Sequence, residues 1–201
     1  MYSKSYRLLS FLLGIERKLT VSSEYVELVV RKGEKRTRLT KSEITDFTYS
    51  IDYISVKRIT IGKRYRLSIR GGNDDTVLKV EFISYFNTRR EYSDFYSEIV
   101  AALKKYYFKD IVAGHLATFH ANGELKLGKL HLSKEGINVM GTGLDFVWPN
   151  LKIKEYPHYF VISKPNAPEF HLWLVYDEWF SSILYVLITS IKKEMEKNAL
   201  R

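Results

Sequence analysis

The sequence predicts an α+β protein built as one unit made twice. The first observation behind this is an internal echo. Lys129–Met140 reads KLHLSKEGINVM, and 111 positions earlier Lys18–Val29 reads KLTVSSEYVELV, with Lys, Leu, Ser and Glu identical. Each copy is an alternating run, a polar break at Ser-x-Glu and a second alternating run, the pattern of two half-buried strands joined by a tight turn. Secondly, both copies lead into further β-branched and aromatic segments of the kind strands prefer. Thirdly, each half closes on a single amphipathic helix, whose apolar face needs a sheet to cover it.

At 201 residues the chain has room for one domain or two, and the echo favours two, residues 1–108 and 109–201. Hydrophobic residues make up 45% and charged residues 27%, enough apolar material for a core in each half. The absence of cysteine excludes disulfides, thiolate metal sites and a cysteine nucleophile, and fits a reducing, cytoplasmic setting. Charge is uneven: through Asp110 there are 22 Lys+Arg against 14 Asp+Glu, a net +8, and thereafter 10 against 9. A basic patch therefore belongs to the first half.

Tyr2–Ile15 places Lys4 and Arg7 before an apolar run at Leu8–Leu13. The run is too short for a membrane span and no small-residue cleavage site follows it. It reads as a short helix or strand over the first core, or as an interfacial anchor peripheral to a membrane. Strands are expected at Leu19–Val30, Thr37–Tyr53, Ile54–Ile61, Tyr65–Ile69 and Val77–Phe86, with a basic turn at 31–38 and a hairpin loop at Gly71–Asp75. Thr88-Arg89-Arg90-Glu91 has capping-box spacing. The helix it opens carries Tyr92, Phe95, Tyr96, Ile99, Leu103 and Tyr106 on one face. Asp110–Phe119 reads as a further helix ended by Asn122-Gly123, although Asn-Gly is equally a hairpin signal. No Pro- or Ser-rich linker separates the halves, which points to packed rather than freely tumbling domains.

In the second half strands are expected at Leu125–Leu132, Ile137–Met140, Leu144–Trp148, Leu151–Tyr156, Tyr159–Ser163 and Phe170–Tyr176. The last helix is expected near Asp177, whose carboxylate can cap it. Its core stripe is Phe180, Ile183, Leu184, Leu187, Ile188, Ile191 and Met195. Trp179, Tyr185 and Val186 lie off that stripe, which marks them as a candidate interface with the other domain or a partner chain.

Several short antiparallel strands followed by one C-terminal helix resemble the pleckstrin-homology (PH-like) superfamily. The resemblance covers about 17–107 and 124–197. The second half is most similar to small bacterial PH-like and GRAM-type domains, through Leu132-Ser133-Lys134-Glu135-Gly136-Ile137 and the tryptophan turn Val147-Trp148-Pro149-Asn150-Leu151. The first half departs from the pattern, with Tyr25 where the second has Gly136 and no tryptophan at Lys41-Ser42-Glu43-Ile44. The resemblance implies that each unit is a bent antiparallel sheet or partly open barrel capped by its C-terminal helix. It also implies binding rather than catalysis, of a protein partner, a peptide or a phosphoinositide headgroup. Lipid-binding members carry spaced basic residues in the first hairpin, and Lys32, Lys35, Arg36 and Arg38 match that spacing. Arg36 and Arg38, two apart on a strand, project the same way and can grip one phosphate cluster.

Enzyme motifs are missing: no Walker A loop, G-x-S-x-G elbow, H-E-x-x-H or G-x-G-x-x-G occurs. No metal site or cofactor is expected, since His115 and His120 are five apart, off the spacing that puts two ligands on one helical face. His171 is read as facing away from Phe170 and Leu172, with Trp173 opposite it in turn. Basic residues interleaved with tyrosines, such as Lys63-Arg64-Tyr65-Arg66, suit nucleic acid, but no RNA-recognition consensus accompanies them. The leading expectation is a protein-interaction or scaffolding module. Anionic lipid through the basic hairpin stands next, and nucleic acid last.

Overall fold

The computed structural model describes residues 2–9, 16–30, 35–72, 76–86, 91–165 and 167–199. The chain divides into two compact units, Met1–Lys109 and Asp110–Arg201. Among the described residues it is a mixed α+β protein with four antiparallel sheets and no closed barrel.

In the first unit β1 (Ser3–Leu9), β2 (Glu16–Ser22), β3 (Tyr25–Val30) and β4 (Lys35–Thr40) form a four-stranded meander. A three-stranded meander follows: β5 (Ile44–Val56), β6 (Ile59–Gly71) and β7 (Thr76–Tyr85). Alternation decides which face is inside. Tyr6 opposite Leu19, Leu19 opposite Leu28, and Val21 opposite Val26 put one apolar row of the first sheet in the core. In the second sheet Leu67 lies between Tyr49 and Val80, and Tyr65 stacks on Phe82 with centroids 5.1 Å apart. The N-terminal segment is thus a strand, with Tyr6 and Leu8 buried in the core.

The helix α1 (Glu91–Leu103) is followed without a break by a π turn (Lys104–Phe108) and α2 (Lys109–Asn122). The capping-box residue Thr88 lies outside the described residues. Tyr92, Tyr96, Ile99 and Leu103 are buried as their spacing dictates, but the next buried aromatic is Tyr107 and not Tyr106. The wider π turn explains the shift, because it brings the fourth residue after Leu103, rather than the third, back to the inner face. At Asn122-Gly123 the helix reading holds. Gly123 has φ 75° and its N–H donates to Phe119 O at 2.7 Å, a left-handed helix terminus.

The second unit repeats the order in shorter strands. β8 (Glu124–Leu127), β9 (Leu130–Ser133), β10 (Gly136–Val139) and β11 (Leu144–Val147) form a four-stranded meander. A turn of 3₁₀ helix at Trp148–Asn150 leads into a three-stranded one, β12 (Lys152–Glu155), β13 (Tyr159–Lys164) and β14 (Ala167–Val175). Leu125, Leu132, Ile137 and Phe146 lie opposite one another in turn and make one buried row across the first of these sheets. The helix α3 (Ser181–Ala199) ends the unit, burying Ile183, Leu184, Leu187, Ile188 and Ile191.

Several boundaries differ from expectation, and Thr37–Tyr53 is split between β4 and β5 by a turn at Lys41–Glu43. Ile54–Ile61 is not one strand: Lys57 and Arg58 take left-handed φ of 46° and 71° and form the two-residue turn between β5 and β6. Leu125–Leu132 is likewise split by Gly128-Lys129, with φ 58° at the glycine. The last helix starts at Ser181, not near Asp177. Tyr176 N–H still donates to His158 O at 2.9 Å, so the strand is only finishing there, and Leu184 N–H bonds Phe180 O at 2.7 Å as the first helical link.

The echoed serines do the same thing in both units. Ser22 Oγ accepts from the N–H groups of Glu24 and Tyr25 at 3.1 and 2.9 Å. Ser133 Oγ accepts from Glu135 and Gly136 at 3.2 and 3.3 Å. The hydroxyls donate differently, Ser22 to Tyr25 O at 3.0 Å and Ser133 to the Glu135 carboxylate at 2.6 Å. The second bond holds the Glu135 carboxyl below its usual range.

The Tyr25/Gly136 difference also has a physical cause. A Cβ at residue 136 would lie 2.0 Å from Phe146 O, so only glycine lets β10 approach β11 this closely. We expect Gly136→Ala to destabilise the second unit by more than about 2 kcal/mol in urea unfolding. Gly141→Ala, with φ 78° but nothing within 4 Å of its Cβ, should lose only about 1 kcal/mol. Equal losses would refute the close-approach explanation.

Candidate functional site

The basic hairpin lies between β3 and β4 and is therefore the third hairpin of its unit, not the first that the resemblance implied. Lys32 lies outside the described residues. Lys35, Arg36 and Arg38 lie on β4, where alternation puts the two arginines on one face and Lys35 on the other. Both arginines already have partners on the neighbouring strand. Arg36 reaches Glu27 Oε1 through Nε at 2.8 Å and Nη2 at 2.6 Å. The Arg38 guanidinium lies 3.7 Å from the centroid of the Tyr25 ring. An anion at this face would have to compete with the carboxylate of Glu27, whose side chain is 12% exposed.

The histidines are dispersed. His131 Nε2 is 2.7 Å from Glu124 Oε2 and His120 Nε2 is 3.5 Å from Glu194 Oε2, each a single pair. Among the described residues no group of three or more His, Asp or Glu could hold a metal ion. His171 and Trp173 share a face of β14 with ring centroids 5.8 Å apart, which corrects the expectation that they oppose each other: residues two apart on a strand point the same way.

A built concavity lies in the second unit, between β12 and α3. This groove of about 570 Å³ is walled on one side by Leu151–Lys154 and on the other by Tyr185, Thr189, Lys192, Lys193 and Glu196. β12 is an edge strand, paired only with β13, so one row of its backbone groups has no strand partner among the described residues. Lys152, Lys154, Lys192 and Lys193 give the groove a positive rim, with Lys192 paired to Glu196 one turn on. Next to the lining residue Lys154, the two oxygens of Glu155 accept from Tyr176 OH at 2.9 Å and Tyr185 OH at 2.7 Å. That bond raises the pKa of the Tyr185 hydroxyl above its ordinary value. Tyr185 also packs edge-on against Phe160 at 5.3 Å. It is therefore half-buried against its own sheet, as a wall of the groove. Val186 is half-buried on α3, and half-buried Trp179 lies in the turn before that helix rather than on it.

On the corresponding strand of the first unit, also an edge strand, Phe47 packs against Phe108 at 6.2 Å and Lys104 Nζ sits 4.8 Å from the Tyr49 centroid, so residues of the π turn lie against its core-facing side. Sequence reading passed over the groove because its two lysine pairs are about 40 residues apart and neither forms a motif. The one signal is the alternation Lys-Ile-Lys-Glu on a short strand, which marks a charged edge. The chain matches no family model and no curated protein.

Because Arg36 neutralises a buried carboxylate, it is not an indifferent surface position. Arg36→Ala should destabilise the protein by about 1–3 kcal/mol in urea unfolding. Lys35→Ala, exposed and on the opposite face, should stay within about 0.5 kcal/mol. Equal effects would show that the Glu27 pair contributes nothing.

Proposed function

We propose that the chain is a non-catalytic protein-interaction module of two PH-like units, and that its second unit takes an acidic, extended segment of a partner protein in the groove between β12 and α3. Four strands, three strands and a helix in each unit support the PH-like reading. The observation that carries the function is the groove itself, an unpaired strand edge running beside a helix with lysines on both walls. An added strand bonds such an edge through its main chain, while side-chain pockets and rim charge select its sequence. Lysines on an edge discourage neutral or basic strands, so the same charges that keep β12 from aggregating favour a partner rich in Asp and Glu.

The test uses a fluorescein-labelled peptide of alternating Glu and Val, followed by anisotropy. The full chain should bind it, more weakly as salt rises. Lys152→Glu combined with Lys193→Glu should weaken binding by at least about tenfold while leaving the unfolding midpoint unchanged. Undiminished binding by the double variant, or no binding by the parent chain, would overturn the assignment.

A further inference from the structure

The geometry points to a second, independent surface: the tip of the β5–β6 hairpin is a membrane-contacting device that inserts apolar side chains into the interface of an anionic lipid bilayer. The hairpin outruns its sheet. β5 pairs with β6 as far as Val56 opposite Ile59, whereas β7 ends at Tyr85 opposite Gly62, so among the described residues the last turn of ribbon has no third strand beside it. The face that forms the core runs out of cover along the way. Phe47 is 4% exposed, Tyr49 half-buried, Ile51 41% and Tyr53 65% exposed, all on one side of β5.

The opposite side is apolar too at the tip, where Val56 and Ile59 face each other across the ribbon at 52% and 69% exposure. Phe86, 75% exposed, completes the group. Its N–H donates to Ile61 O at 2.8 Å, and its φ of 48° is one that bulky residues seldom adopt. Among the described residues, five of the ten large exposed apolar side chains are gathered here, so the tip is not ordinary surface scatter.

What covers such a tip is decided by shape and charge. The apolar groups surround a narrow projection on both faces, whereas a protein partner covers one face well. A bilayer interface, in contrast, accommodates an apolar projection from all sides. At the apex Lys57 and Arg58 take the two left-handed positions of the turn, and Lys63 follows with Nζ 5.8 Å from the Tyr53 centroid. Basic residues beside an apolar tip are drawn to anionic headgroups while the apolar groups enter the acyl boundary. The surrounding unit, net +9 over residues 1–109 by sequence, adds to that attraction. No helix of the described residues is long and apolar enough to cross a membrane, so contact of this kind would be peripheral as far as its helices are concerned.

The experiment is sedimentation of the full chain with phosphatidylcholine vesicles, with and without phosphatidylserine. The parent chain should sediment with the anionic vesicles. Val56→Ser with Ile59→Ser should reduce the bound fraction at least about tenfold. Lys57→Asn with Arg58→Asn, a change the left-handed turn tolerates, should weaken partition about thirtyfold. An Ile59→Trp variant should show a blue-shifted emission on vesicle binding. Unfolding midpoints of all variants serve as the control for folding. No sedimentation of the parent chain would overturn the proposal, as would equal binding by parent and variants. Dimerisation in analytical ultracentrifugation that the serine variant abolishes, without vesicle binding, would replace it with self-association through the tip.

Discussion

Each unit depends on one small polar node, a serine at the end of its second strand. The hydroxyl satisfies the two N–H groups of the following turn, at Glu24 and Tyr25 in one unit and at Glu135 and Gly136 in the other. The carbonyl of the same serine accepts from a buried aromatic donor, Tyr107 OH at 2.6 Å in the first unit and Trp148 Nε1 at 2.9 Å in the second. A buried backbone carbonyl without a partner is unfavourable by about 1–3 kcal/mol, so the two donors are constrained together with the turn. The donors come from different elements, the π turn after α1 and the 3₁₀ turn after β11. The first unit can therefore lack the tryptophan turn and still satisfy the same carbonyl.

The donor elements also differ in what lies around them. The π turn that aims Tyr107 inward sets its neighbours Lys104 and Phe108 against Tyr49 and Phe47 on the core-facing side of β5. In the second unit the tryptophan of the 3₁₀ turn supplies the bond to the serine carbonyl instead. There α3 borders the groove beside β12, with Tyr185 on the helix bonded to Glu155 on the strand.

Much of this was legible in the residues, and the remainder was hidden for physical reasons. The Ser-x-Glu break and its flanking alternation located four strands, because period-two burial and a side-chain-capped turn are local properties. The Lys57-Arg58 turn left no trace: its left-handed positions are usually filled by Asn or Gly, and only the pairing of β5 with β6 forces two basic residues into them. The charges of the basic hairpin were plain, but their partners were not. Glu27 and Tyr25 reach Arg36 and Arg38 diagonally across a ladder whose register is tertiary information. Tyr185 stood out as apolar and off the core stripe of its helix, yet it is claimed by Glu155, 30 residues earlier, through a hydroxyl that hydropathy does not count.

The most direct test of this account is amide hydrogen exchange on Ser22→Ala and Ser133→Ala. If each serine is the node of its unit, Ser22→Ala speeds exchange at Glu24 and Tyr25 and through the strands they join. Ser133→Ala would do the same at Glu135, Gly136 and their strands. Parent-like protection at those amides in either variant would contradict it.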